Sequence, residues 1–349
     1  MADIAHLQKM RQKVFQPEIQ SYEARRDRLV RLRKALLNHE QALYTALHND
    51  LRKSKEEVWA TEIGLVMAEL NEAIHSLKKW MSPKKVRTNL LNWPSSSYLY
   101  SEPLGLVLII APWNYPVQLL FNPLIGALAA GNLAVLKPSE FTPATEAVMR
   151  SIVEEAFSSG EVLYVTGDGA AVVTDLLQSF TFAHVFYTGS TSVGRSVYKM
   201  AADKLVPVTL ELGGKSPTVI ESDANLRVAA RRIASMKFLN TGQTCVAPDY
   251  ILVHASVRHR FVEELKAAIE KFYSGDAQQS EGFGRIVNAR QFDRLVSYLS
   301  NGQILHGGRT DRNDLFIEPT LLTDVSVESD RKSTRLNSSH EWISRMPSS

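Results

Sequence analysis

The sequence predicts an α/β fold in two parts: a parallel sheet wound on both faces by helices, followed by a second α/β unit. Three observations predict it. Between Leu104 and Leu212, short apolar runs alternate with helix-periodic ones, the pattern of parallel strands joined by crossover helices. The strand-like runs are apolar throughout, as strands covered on both faces are. The notable polar residues fall where those runs end, at Asn114, Lys137 with Glu140, Gly189 with Ser190, and Glu211. Sheets of this kind bind ligands at the carboxyl ends of their strands.

Residues 1–81 read as helices. Tyr22 to Asn49 is periodic, with Leu29, Leu32, Leu36 and Leu43 on one face and Arg25, Arg26, Arg33 and Lys34 on the other. The basic residues read as a solvated face rather than a nucleic-acid patch. Trp59 to Trp80 repeats the pattern until Pro83 stops it. From Val86 to Tyr100 two short strand-like runs flank the turn cluster Asn92-Trp93-Pro94-Ser95 and predict a hairpin, which read from residues alone is equally an ordinary surface ribbon.

The alternating region then gives strands at Gly105–Ala111, Leu133–Lys137, Val162–Val165, Ala183–Thr188 and Val206–Leu210. Its helices are Val117–Ala130, Ala144–Phe157, Ala170–Leu177 and Ser192–Ala202. The second unit, from Glu221 to Val325, shows helices at Leu226–Phe238, Val257–Phe272 and Ala289–Leu299. Its strand-like runs are Thr218–Ile220, Tyr250–His254, Ile304–Leu305 and Phe316–Leu322. The expected division is residues 1–85 with 102–211 as one domain, 86–101 as the hairpin, 212–328 as a second domain and 329–349 as a tail apart. That tail carries seven serines and no periodicity.

Composition narrows the function classes. A chain of 349 residues with 44% hydrophobic content can bury a sizeable core, and a net charge of +3 offers no basic stripe for nucleic acid. A single cysteine excludes an internal disulfide framework and fits a reducing compartment, so a cytoplasmic protein is expected. Met1 to Gln20 is charged throughout, unlike a signal peptide, and the apolar run Leu104–Pro112 is too short to span a bilayer. No metal-ligand spacing stands out; His254 and His259 read as solvated or capping groups.

The single cysteine, Cys245, lies in Asn240–Ala247, NTGQTCVA. Free cysteine is commonly a small buried hydrophobe. Here a helix-like run ends in the turn-formers Asn240, Gly242 and Thr244, so the thiol is expected at the exposed end of an element. In Glu211–Lys215, ELGGK, a carboxylate leaves a β-rich run and meets paired glycines that permit close backbone approach and positive φ. A thiol with a carboxylate base suggests covalent catalysis on a carbonyl. Gly189-Ser190-Thr191-Ser192-Val193-Gly194 closes a strand and opens a helix, whose first N–H groups suit a phosphate; a plain strand-to-helix turn fits as well. Lys137 and Glu140 can hold ribose hydroxyls or form a surface ion pair. Asn114, stiffened by Pro112 and Pro116, is either an aimed amide donor or a turn residue.

Taken with Pro112-Trp113-Asn114-Tyr115-Pro116, Lys137-Pro138-Ser139-Glu140 and Thr188-Gly189-Ser190-Thr191, these motifs make the chain resemble the aldehyde dehydrogenase superfamily from about Phe15 to Val325. The short N-terminus and GQTCVAPDY are most similar to the class-3, fatty-aldehyde branch. The resemblance implies a Rossmann-like cofactor domain, a catalytic domain, and a hairpin that protrudes and joins a homodimer interface. It implies NAD or NADP as cofactor, held by Lys137, Glu140 and Gly189 to Gly194, and a small aldehyde as substrate. Cys245 is then the nucleophile, Asn114 the oxyanion donor and Glu211 the base that activates water against a thioester. Trp113 and Tyr115 line the substrate channel. Against the family pattern the chain is expected to be C-terminally truncated, leaving the catalytic domain incomplete. Two other readings are an inactive dinucleotide-binding remnant and an acylating enzyme that passes its acyl group to another acceptor. The glutamate in ELGGK argues against the second.

Overall fold

The structure, a computed structural model, describes residues 3–157 and 160–325. They form two compact units, each with its own core. The first takes the described residues to Asp50 and Lys55–Leu212; the second takes Leu51–Ser54 and the described residues from Gly213.

The first unit opens with helices α1 (Ile4–Lys13), α2 (Tyr22–Asn38), α3 (Glu40–Leu51) and α4 (Gly64–Met81). A hairpin of β1 (Lys84–Val86) and β2 (Ser97–Leu99) follows, paired antiparallel with Lys84 opposite Leu99. Then come β3 (Leu106–Ile110), α5 (Pro116–Ala129), β4 (Leu133–Lys137), α6 (Pro143–Ala156), β5 (Val162–Tyr164), α7 (Gly169–Ser179), β6 (His184–Gly189), α8 (Thr191–Ala202) and β7 (Val208–Leu212).

The five strands β3 to β7 form one parallel sheet in the order β5-β4-β3-β6-β7. Every residue of β3 and β4 is buried, which explains their unbroken apolar character. Leu106, Leu108, Ile110, Leu133, Val135 and Val185 join Val173 and Leu176 of α7, Val197 of α8 and Leu7 and Met10 of α1 in one core. The alternate residues Val107, Ile109, Ala134 and Leu136 are buried too, and α5 packs on β3 and β4. The chain winds from β3 outward to β5, then returns past β3 to β6 and β7. That reversal falls between β3 and β6, the position at whose carboxyl edge an open α/β sheet receives its ligand.

Four expectations change in this unit. The periodic run Tyr22–Asn49 breaks at His39, where Asn38 and His39 both bond Glu155, at 2.6 and 3.0 Å. Arg25, expected on a solvated face, is only 6% exposed. Its guanidinium donates to Ala129 O (3.2 Å) and Gln20 Oε1 (2.6 Å), so it satisfies a carbonyl in the last turn of α5. Gly131 makes the room, since a Cβ there would lie 2.6 Å from Arg25. The helix expected from Trp59 starts with a π-turn, Trp59–Ile63. Finally, β7 runs two residues further than the apolar pattern suggests, so Glu211 lies inside the strand, opposite Thr188.

The second unit is built on a parallel pair, β8 (Ser216–Ile220) and β9 (Pro248–Val253), joined through α9 (Leu226–Phe238). Helix α10 (Arg258–Phe272) packs on α9, and their core includes Ile233, Phe261, Leu265, Phe283 and Phe316. Helix α11 (Ala289–Val296) is followed by β10 (Gln303–His306), β11 (Thr310–Asp311), β12 (Phe316–Ile317) and β13 (Leu321–Thr323), with β10 paired to β13 and β11 to β12. The single strand expected over Phe316–Leu322 is two, because Pro319 has no N–H for a ladder. The serine-rich tail, 329–349, lies outside the described residues.

Candidate active site

At the carboxyl edge of the five-stranded sheet, Ile110 pairs with Lys137 on one side and with Tyr187 on the other, so β3 and β4 end together and β6 runs two residues further, to Gly189. Four groups of polar residues leave that edge.

Lys137 closes β4 and is 1% exposed. Its ammonium donates to Pro138 O (2.6 Å) and Glu140 Oε2 (3.2 Å). Glu140 Oε1 accepts from Gly169 N–H (2.9 Å) at the start of α7. Burial opposes ionisation of Glu140. The N–H groups of Glu140 and Gly169 and the Lys137 charge outweigh it, holding the carboxyl below its usual range. The pair is thus anchored rather than a loose surface contact. Its carboxylate can accept from sugar hydroxyls and its ammonium can donate to them.

Gly189 closes β6, and Ser190 caps α8 by accepting from Val193 N–H (3.4 Å). Ser190, Thr191, Ser192 and Val193 are exposed and Gly194 is buried. An exposed helix start of this kind attracts phosphate. The glycines serve another purpose than positive φ. A Cβ at Gly189 would lie 2.3 Å from the Tyr187 hydroxyl, and one at Gly194 would lie 2.9 Å from Leu212. The Tyr187 hydroxyl donates to Ser190 O (3.2 Å), and burial pushes its pKa up.

Asn114 follows β3 in the turn Trp113–Tyr115 ahead of α5; Asn114 and Trp113 are half-buried, and Tyr115 is 7% exposed. Sequence reasoning missed the residue that fixes where this turn enters the helix. Glu62, fully buried in the π-turn, accepts from the N–H groups of Val117 and Gln118, both at 3.0 Å. A carboxylate there complements the helix start. Its signal would have been a carboxylate inside an otherwise apolar helical stripe. Glu211, in β7, is exposed.

The second unit carries Cys245, a free and exposed thiol between α9 and β9. Three consecutive residues before it, Asn240, Thr241 and Gly242, have left-handed φ of 49°, 52° and 79°. Asparagine tolerates that conformation, whereas a β-branched residue such as Thr241 costs about 1–2 kcal/mol there. Gln243, which the sequence did not single out, bonds this turn to residues 285–287. Gly214 of ELGGK lies against the cysteine itself, since a Cβ there would meet Cys245 O at 2.6 Å. Neither Gly213 nor Gly214 has positive φ; close approach is the reason for the second glycine only. His254 caps the turn before α10 by accepting from Ser256 N–H (3.3 Å). Among the described residues no cluster of three or more His, Cys, Asp or Glu side chains could hold a metal ion.

An electrophilic carbon can be attacked by an exposed thiol, and the sheet edge offers donors to phosphate and sugar. A family model described as the aldehyde dehydrogenase family matches residues 7–333. A 4,4'-diaponeurosporen-aldehyde dehydrogenase from Staphylococcus aureus is 46% identical over 307 residues, 87% of this chain and 66% of that protein. A rat aldehyde dehydrogenase named dimeric and NADP-preferring is 41% identical over 309 residues, 88% of this chain and 68% of that protein. The solved structure of a substrate-bound S. aureus AldH superposes with a TM-score of 0.91 at 42% identity, covering 96% of this chain and 73% of that one. The chain spans about two thirds of the length of these curated relatives.

Proposed function

This chain belongs to the aldehyde dehydrogenase family, and from that premise we propose that it oxidises aldehydes to carboxylic acids with NAD or NADP through a thioester on Cys245. The observation that carries the reading is the one free thiol of the chain, exposed on a turn whose backbone is packed against Gly214. Cys245 as thiolate bonds to the aldehyde carbon, and the carbonyl oxygen becomes an alkoxide. The Asn114 amide and the Cys245 backbone N–H donate to that oxygen, a contribution of about 3–4 kcal/mol to the barrier when one such donor is lost. A nicotinamide cofactor, when bound, supplies the hydride acceptor. Glu211 then takes a proton from the water that hydrolyses the thioester, releasing the acid and the free thiol.

Lys137 and Glu140 bind the adenosine ribose, and the segment from Gly189 through Ser190, Thr191, Ser192 and Val193 to Gly194 binds the pyrophosphate. Support comes from the anchored ion pair, its ammonium buried and its carboxylate half-buried, and from the exposed start of α8 at the reversal of strand order. Trp113 and Tyr115 border the aldehyde's path. The rat relative's name carries an NADP preference; both cofactors remain within the proposal.

A second copy of the chain is the proposed partner. Leu90, Leu91, Trp93 and Tyr100 of the hairpin region are exposed, Leu91 at 95% and Trp93 at 77%, which favours burial in an interface. The proposed compartment is the cytoplasm, where an exposed free thiol stays reduced. No helix among the described residues is long and apolar enough to cross a membrane.

The test is turnover of aldehyde with NAD or NADP. Cys245→Ala should abolish reduction of the cofactor while leaving its binding intact; sustained turnover would remove Cys245 as nucleophile. Glu211→Gln should give about one equivalent of reduced cofactor per thiol and then stall, because acylation precedes the step that needs the base. An unimpaired steady state would remove Glu211 from deacylation.

A further inference from the structure

Gln243 stands two residues before Cys245, and its side-chain amide is spent on four backbone and side-chain partners at once. Nε2, with two N–H groups, lies within donor distance of three acceptors, Asn240 O (3.1 Å), Thr241 Oγ1 (2.8 Å) and Arg285 O (2.9 Å), so one N–H is shared, while Oε1 accepts from Val287 N–H (3.0 Å). Two of these partners belong to the left-handed turn Asn240–Gly242, and two belong to the segment Arg285–Val287 on the far side of the amide. That second segment is itself fixed. Arg285 is buried, donates to Phe283 O and Gly284 O (both 3.0 Å), and pairs with Asp314 at 2.8 Å. On the other side of the thiol, Gly214 lies so close to Cys245 O that no side chain fits between.

We infer that Gln243 is a positioning residue: its amide holds the strained turn before Cys245 against Arg285–Val287 and so sets where the sulfur is presented. The inference rests on the proposed role of Cys245 as nucleophile. No smaller or apolar side chain can replace the amide. The turn needs a donor and the Val287 N–H needs an acceptor, in opposite directions from one planar group. A carboxylate keeps the acceptor but sets a charge against the carbonyls of Asn240 and Arg285. A thioether keeps the length and loses both functions. An error of about 1 Å in the position of a reacting atom costs on the order of 100-fold in rate.

The test compares Gln243→Glu, Gln243→Met and Thr241→Val with the wild-type chain, each checked for native circular dichroism. The first readout is the rate at which iodoacetamide alkylates the single thiol, followed by intact mass, native and in denaturant. The wild-type native rate should differ from its denatured rate, and the Gln243 variants should move toward the denatured rate. The second readout is the kinetic split: kcat should fall about 100-fold with KM for cofactor within about threefold. Thr241→Val keeps the amide but removes one of its acceptors, together with the hydroxyl's own bonds to Asn240 O (2.7 Å) and Arg285 O (3.5 Å), so it loosens the same turn-to-segment tie, should show a smaller loss in the same direction, and carries the test if the Gln243 variants fail to fold. Wild-type alkylation rates and wild-type kcat in the variants would overturn the inference. So would a native wild-type rate equal to the denatured one. If Cys245→Ala still turns over while the Gln243 variants alter alkylation, the nucleophile assignment fails and the placement of the thiol by Gln243 stands.

Discussion

Lys137 and Glu140 show how much a single residue can carry. The ammonium is buried and the carboxylate is 31% exposed, with 3.2 Å between them. Removing Glu140 strands a buried cation on one carbonyl, Pro138 O. Because Glu140 is partly solvated, the expected cost of Glu140→Ala is about 1–2 kcal/mol at neutral pH, below the range for a fully buried pair. The pH dependence follows from the lowered carboxyl pKa. A depressed folded value means the stabilisation is complete above the unfolded carboxylate range and is lost as pH falls through the folded value. Urea unfolding at neutral and at acid pH should therefore show the wild type and Glu140→Ala converging in acid; an unchanged gap would contradict the ion-pair account. Gly214 works through space alone. Gly214→Ala must displace the Cys245 backbone, since the added carbon would sit 2.6 Å from its carbonyl oxygen. Turnover should fall by about 100-fold or more while cofactor binding persists. Both sites were visible as letters in the sequence, in KPSE and ELGGK. The burial of one and the close contact of the other were not, because long-range packing leaves no local trace.

At the scale of elements, α5 depends on a carboxylate from another part of the chain. Glu62 takes two of the N–H groups that a helix start leaves without intrahelical partners. Glu62→Ala should destabilise the protein by about 2 kcal/mol, more than an exposed cap, because those donors are left without this acceptor in the interior. Thermal unfolding checks this; an unchanged Tm would show that the π-turn contributes nothing to α5. The alternating strands and helices between Leu106 and Leu212 were legible because burial on both faces imposes an apolar code that survives without tertiary context. What was not legible depended on partners distant in sequence. The break at His39 is held by Glu155, the burial of Arg25 by the end of α5, and the extension of β7 through Glu211 by its ladder with Thr188. The split at Pro319 was readable in principle, since proline's missing donor is a local fact.

For the molecule as a whole, the sequence carried the α/β class, and the motifs carried the family. The first unit has a five-stranded parallel sheet whose strand order reverses between β3 and β6. The hairpin's exposed Leu91 and Trp93 have no such internal explanation. Substituting Leu90, Leu91 and Trp93 by Ser should shift the chain toward monomer in sedimentation velocity, and an unaltered distribution would reject the hairpin as an interface. The proposed chemistry, by contrast, reduces to one covalent event. Its most direct measurement is the intact mass of Glu211→Gln after mixing with an aldehyde and NAD, followed by peptide mapping. The expected result is a gain equal to the acyl group, located on Cys245 and absent without cofactor. Turnover with an unmodified Cys245, or an acyl group mapped to any other side chain, would contradict it.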